Sequence, residues 1–212
     1  MRYKRTVVAS FRLGTTLCAL LAPSASWAQG VPPLAERLQL CATCHNPDGN
    51  STIPDNPRLA GQDAAYLARQ LADFKNGSRP SPVMAGIVGL LADEELKPLA
   101  EFFSEQAPAG PTGAADDAAQ APGRQIFDEG ILGSAVPACS GCHNDDGSGT
   151  EKYPRITGQH ARYVVQQLMN FRSGVRANDG RAVMQAVAKR MNEQEIQAVA
   201  EYVATLKEEE EQ

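Results

Sequence analysis

The pentapeptide Cys41-Ala42-Thr43-Cys44-His45 returns about a hundred residues later as Cys139-Ser140-Gly141-Cys142-His143, and parallel sequence surrounds both copies. Leu59-Ala60-Gly61-Gln62 matches Ile156-Thr157-Gly158-Gln159 at an offset of 97. The same offset pairs Tyr66 with Tyr163, Gln70-Leu71 with Gln167-Leu168, and Phe74, Gly77 and Arg79 with Phe171, Gly174 and Arg176. After an insertion of three residues around Asn178-Asp179-Gly180 the offset becomes 100, and Met84 falls on Met184, Glu95 on Glu195 and Phe102 on Tyr202. A tandem duplication of this kind restricts the chain to two copies of one small fold.

Both pentapeptides read C-x-x-C-H, the signature for covalent attachment of c-type haem. Two thiols separated by two residues each form a thioether to one porphyrin edge, and the adjacent histidine is then held under the iron. Other uses of the pair fit less well. A thioredoxin-like dithiol belongs in a strand-then-helix pattern that neither copy has. A structural zinc site needs four ligands, whereas the first half offers only Cys41, Cys44 and His45. A disulfide between near neighbours leaves both histidines without a reason.

Residues 1–28 read as a secretory signal. Arg2, Lys4, Arg5 and Arg12 form a basic start, Leu13 to Ala22 is too short for a convincing membrane span, and Ser26-Trp27-Ala28 offers a cleavage site after Ala28. A lipoprotein reading at Cys18 is weakened by the bulky Leu17 before it, and an uncleaved anchor is the other alternative. Cleavage leaves four cysteines, all inside the two motifs, and no thiol for a structural disulfide. The mature chain then carries 16 basic and 25 acidic residues, a net charge of −9. Such a surface is soluble, repels nucleic acid, and favours a partner with a basic or mainly apolar patch.

The expected fold is all-α. A short helix from Leu34 to Leu40, and from Arg124 to Glu129, precedes each motif. A second helix follows Gly61 and Gly158, with Tyr66, Gln70 and Phe74 at four-residue spacing beside an apolar stripe through Leu67 and Leu71. The last helix runs from about Asp93 to Glu105 and from Asn192 to Lys207. Leu96, Leu99 and Phe103 form its buried stripe in one half, and Ile196, Val199 and Val203 in the other. Pro98 predicts a late start or a kink in the first of these. No stretch alternates clearly enough to need a sheet. The domains are an N-terminal one over 29–106, a linker over 107–122 that is Pro/Gly-rich and then Ala/Asp/Gln-rich, and a C-terminal one over 123–212. The Glu208-Glu209-Glu210-Glu211 run reads as a solvated, frayed end. Halves this small bury little core alone, and a covalent macrocycle supplies much of what is missing. Contact between the haem-bearing faces is expected to fix the arrangement of the halves, with the linker merely permitting it.

An iron with one histidine needs a sixth ligand or stays open for chemistry. Methionine more often fills core than binds iron. Met84, however, is the one methionine of the first mature half, sits in a loop with Pro80 and Pro82, and is matched by Met184. Met169 aligns with Ala72 and Met191 with Leu91, so both read as packing residues. His160 competes with Met184, but its alignment with Asp63 at a helix start favours a capping or surface role. Pro57 and Pro154, each before an arginine, are expected to offer a backbone carbonyl to the second nitrogen of His45 and His143.

Taken together, the paired motifs, Pro57-Arg58-Leu59-Ala60-Gly61-Gln62, Tyr153-Pro154-Arg155-Ile156-Thr157-Gly158-Gln159, the Gln-Leu-x-x-Phe helices and the matched methionines resemble the dihaem cytochromes c4 over essentially the whole mature chain. Asn46 and Asn144 depart from the glycine common after the haem histidine, and Thr157 from alanine. The resemblance implies two tandem class I cytochrome c domains, each wrapped around one covalent haem c. Cys41, Cys44, Cys139 and Cys142 would hold the haems, and His45, Met84, His143 and Met184 would be the axial ligands. It further implies a periplasmic carrier, often loosely membrane-associated, passing single electrons from a quinol-oxidising cytochrome complex to a terminal oxidase. The main alternative is a dihaem electron-transfer subunit of a sulfide or thiosulfate dehydrogenase. A dihaem peroxidase would need an iron with an open position.

Overall fold

The structure is a computed structural model that describes residues 33–114 and 116–207. The leader over 1–28 and the Glu208–Glu211 run lie outside the described residues.

Helix α1, Leu34–His45, carries the first motif to its C-terminal end rather than stopping before it. Helix α2, Ala64–Asn76, starts at Asp63, whose carboxylate accepts from the Tyr66 amide, and ends at Gly77 in the left-handed region. Helix α3, Pro82–Val88, replaces the loop expected around Met84. Its start is encoded locally, since Ser81 caps the Met84 amide and Pro82 occupies the first turn, where no amide hydrogen is needed. Helix α4, Asp93–Ser104, neither starts late nor breaks at Pro98. Leu96, Leu99, Ala100 and Phe103 bury its inner face against α1 and α2, which offsets the backbone bond that proline removes. Glu95 accepts from the Ala92 amide at 2.7 Å and pairs with Arg37 of α1 at 2.6 Å.

The second half repeats the plan. Helix α5, Asp117–Glu129, and the single turn α6, Ser140–His143, together stand where α1 stands. Helices α7 (Ala161–Ser173), α8 (Val183–Ala188) and α9 (Glu193–Thr205) correspond to α2, α3 and α4. The expected linker over 107–122 is therefore too long. Its Ala/Asp/Gln-rich end is the first part of α5, capped by Asp116, and Pro122 and Gly123 lie inside that helix. Gly123 is a packing glycine, because a β-carbon there would run into the Ala198 carbonyl and Tyr202 of α9. Each half has its own core. Val88, Leu96 and Leu99 lie at the centre of one, and Phe127, Ile196 and Val203 at the centre of the other.

Between α5 and α6 the second half carries a segment with no counterpart in the first. Ile131 and Val136 form an isolated antiparallel bridge, exchanging bonds of 2.9 and 3.1 Å around a short turn at Leu132–Ser134. The described residues belong to one compact unit. No described helix is long and apolar enough to cross a membrane.

Candidate haem sites and the contact between them

On α1 the spacing i, i+3, i+4 sets Cys41, Cys44 and His45 on one face. His45 is 7% exposed, and its Nδ1 lies 2.8 Å from the Pro57 carbonyl oxygen. A carbonyl only accepts, so Nδ1 carries the proton and the Nε2 lone pair is left for a metal. Burial holds the His45 imidazole below its usual pKa, partly offset by the Pro57 carbonyl, so the ring stays neutral. The second half repeats this at a different local backbone. His143 ends the single turn α6, is also 7% exposed, and donates from Nδ1 to Pro154 at 2.8 Å. Burial lowers its pKa as well.

The residues after the histidines explain the departure from glycine. Asn46 has φ 62 and ψ 160, and Asn144 has φ 67 and ψ 163, a region that side chains enter only at a cost. Each asparagine amide compensates with a bond to the turn that follows, Asn46 to the Asn50 carbonyl and Asn144 to the Gly149 carbonyl, both at 2.7 Å. Asn46→Ala keeps the strain and loses the bond, so it should destabilise by about 2 kcal/mol. Asn46→Gly trades one for the other and should stay within about 1 kcal/mol of the parent in thermal unfolding of the holoprotein. Equal melting losses for both variants would refute this account.

Met84 is the third residue of α3 and packs half-buried on the core cluster that Cys41 also contacts. Met184 is the second residue of α8 and shares the other cluster with Cys139. Met191 is fully within that core, and the Met169 sulfur lies 3.9 Å from Arg172, so both occupy packing positions. None of the four described cysteines is in a disulfide. Burial raises the Cys41 thiol and pushes Cys139 up to about 11, opposite to what a reactive dithiol requires. Among the described residues no three His, Cys, Asp or Glu side chains converge as a metal cluster would need. Paired thiols beside a buried, neutral imidazole whose outer nitrogen is already committed fit haem c.

His160 is the N-cap residue of α7, and its ring is spent elsewhere. Nε2 bonds the Ser51 carbonyl of the first half at 2.8 Å, fully buried. It is one of several contacts across the halves, arranged about a pseudo-twofold axis. Gln62 donates to the Arg155 carbonyl and accepts from the Arg155 amide, and Gln159 does the same with Arg58, all four bonds being 2.9–3.0 Å. Deeper in, Arg79 reaches Gln70, Tyr163 and Gln167, while Arg176 reaches Gln167, Tyr66 and Gln70. Both arginines are buried, and each stacks on its own half's phenylalanine, Phe74 or Phe171. Nearer the surface, Arg162 pairs with Asp55 at 2.5 Å.

The connection is bonded along its length as well. Asn50 holds both Ala107 and Ala109, Arg58 donates to the Ala109 and Gly110 carbonyls, and the Thr112 and Gly113 amides bond the Ala204 carbonyl. The interface residues were visible in the sequence only as repeat matches. The signal that distinguishes them is polarity, since Gln70 and Arg79 recur where a simple apolar stripe would have no use for them.

Comparison with known proteins gives a consistent result. The family described as cytochrome c matches residues 120–207. Cytochrome c4 of Azotobacter vinelandii is 37% identical over 96% of this chain and 99% of its own length. The thiosulfate dehydrogenase electron acceptor of Stutzerimonas stutzeri (strain A1501) is 38% identical over 78% of each chain. The crystal structure of reduced recombinant cytochrome c4 from Pseudomonas stutzeri superimposes with a TM-score of 0.76 at 36% identity, covering 82% of this chain and 99% of that one.

Proposed function

This chain belongs to the cytochrome c4 family of electron-transfer proteins with two haem c groups, and on that premise we propose how its residues serve a periplasmic carrier. Cys41 with Cys44, and Cys139 with Cys142, hold the two haems covalently. His45 and Met84 would ligate one iron, and His143 and Met184 the other. Bound haem c supplies a one-electron couple that cycles between ferric and ferrous iron. The protein's own contribution is positional. Pro57 and Pro154 fix the tautomer and orientation of the imidazoles, and the methionine sulfurs would complete the iron's ligand set and keep small molecules from it. The observation that carries this reading is the 2.8 Å bond from histidine Nδ1 to a proline carbonyl, repeated in both halves on different local backbones.

The leader over 1–28 would deliver the chain to the periplasm, where the N-terminal domain over 29–106 and a C-terminal domain reaching 212 act together. The donor is a quinol-oxidising cytochrome complex and the acceptor a terminal oxidase. A second reading, an electron-transfer subunit that serves a thiosulfate or sulfide dehydrogenase, is favoured by the 38% identity to a thiosulfate dehydrogenase electron acceptor. Copurification of the native protein separates the two, since it brings down either oxidase subunits or a dehydrogenase. The haem assignment has a simpler check. Mass spectrometry of the denatured holoprotein should find two covalent haems, with no thiol left to titrate in the leaderless chain. A mass corresponding to one haem would refute it.

A further inference from the structure

The two methionine helices occupy equivalent places in the halves, yet their surfaces differ in chemistry. Around Met84 the stretch 80–92 carries no charge, and Val83 and Leu90 are 68% and 60% exposed. Around Met184 the equivalent positions have turned cationic. Arg181, Lys189 and Arg190 stand where Ser81, Gly89 and Leu90 stand in the first half, and all three are exposed. Among the described residues none of them pairs with a carboxylate. Of the acidic groups nearby, Asp179 accepts from Gln185, Glu193 pairs with Arg172, the Glu195 carboxylate accepts from the Asn192 amide, and Glu129 accepts from Gln125.

A second difference lies beside the first. The bridged segment between α5 and α6 ends three residues before Cys139, and the first half has nothing like it. It is uncharged from Gly130 to Asn144, and its tip residue Leu132 is 98% exposed. The segment is held rigidly, because Val136 is buried in the core and Gly130 adopts a left-handed turn where a β-carbon would meet the Val136 carbonyl. Arg190 joins the two features by donating to the Ala135 carbonyl at 2.9 Å. An apolar projection and a rim of exposed cations thus lie side by side near Met184 and Cys139.

We propose that this face of the second half is a docking surface for a redox protein whose own contact patch is apolar at its centre and ringed by carboxylates. The inference rests on the haem assignment above and adds to it which half meets an acidic partner. The chain's net charge points to a basic or apolar partner, and the Met84 face suits that one. The Met184 face has the opposite character. Apolar contact at the centre with complementary charge at the rim is the anatomy of a transient interface, where the rim sets the association rate more than the affinity. A molecule that must accept from one protein and donate to another gains from two chemically distinct faces.

Reduced flavodoxin, a small acidic one-electron donor, is a suitable probe of the full holoprotein. At an ionic strength of about 0.1 M, where the Debye length is about 10 Å, local charge dominates over total charge. Lys189→Gln/Arg190→Gln should lower the second-order reduction rate about tenfold and flatten its salt dependence. Val83→Glu/Leu90→Glu changes the net charge by the same amount on the other face and should alter the rate by less than about twofold. Leu132→Ser should slow reduction severalfold while leaving the salt dependence intact. Equal slowing by both double variants, or no effect of the first, overturns the proposal. Salt-sensitive binding to anionic phospholipid vesicles that needs Lys189 and Arg190, without any change in the flavodoxin rate, assigns the face to a membrane and overturns it too. Haem content and the sulfur-to-iron absorption band are read on every variant, so a failed docking result with an intact band counts against this inference alone.

Discussion

Met84→Ala is expected to remove about half of the near-infrared sulfur-to-iron band and to open one of two irons to carbon monoxide, while the other half of the protein stays as it was. A thioether ligand favours the ferrous state, so the potential of that haem should fall by on the order of 0.1 V. Met184→Ala should do the same to the other haem. The control is Met191, which is nearly fully buried in the second core. Met191→Ala should destabilise by about 2–5 kcal/mol through the cavity it leaves, yet leave the band and the carbon monoxide response unchanged. Met84 is only half-buried at the start of α3, so its removal should cost less in stability than Met191 while costing far more in ligation. The two effects move in opposite directions, which separates a ligand from a packing residue. A full band in Met84→Ala sinks the assignment.

The helices that carry this site were legible because their apolar residues recur with the period of a helix, and because the chain states its plan twice. Spacing alone was enough to propose Cys41, Cys44 and His45 as haem residues. What stayed hidden depends on partners far along the chain. The first part of α5 was read as linker because the stretch from Asp116 to Pro122 is rich in Ala and Asp and contains Pro122. Composition alone does not show that Gly123 is the point at which α5 and α9 touch. His160 looked like a competing ligand or a surface cap, and only the folded chain brings the Ser51 carbonyl to its Nε2. Pro98 looked disruptive because local preference disfavours it, yet the buried face of α4 outweighs one missing backbone bond.

The largest effect on the whole molecule is expected from Gln70→Ala/Gln167→Ala. Five N–H groups converge on the two side-chain oxygens of Gln70 and Gln167, four of them from Arg79 and Arg176 and one from Asn178. Among the described residues no carboxylate bonds either guanidinium. Sharing the same acceptors puts the two cations within about 6 Å of each other, where they repel by about 3 kcal/mol at an effective dielectric constant near 20. The glutamine oxygens offset that repulsion through charge-assisted bonds of about 1.5–3 kcal/mol each. Removing both acceptors leaves only the Tyr163 and Tyr66 hydroxyls against the repulsion, so thermal unfolding should show a loss of at least about 4 kcal/mol. A protease site introduced at Ala114, exposed and outside any helix, then reports on the interface itself. The cut parent should run on gel filtration as one species at micromolar concentration, and the cut double variant as two. Gln70→Glu supplies a counter-charge at the same spot and should keep the halves together. If the alanine variant melts and elutes like the parent, the arginine pair is a passenger, and the reciprocal bonds of Gln62 and Gln159 with the Arg155 and Arg58 backbones hold the halves together.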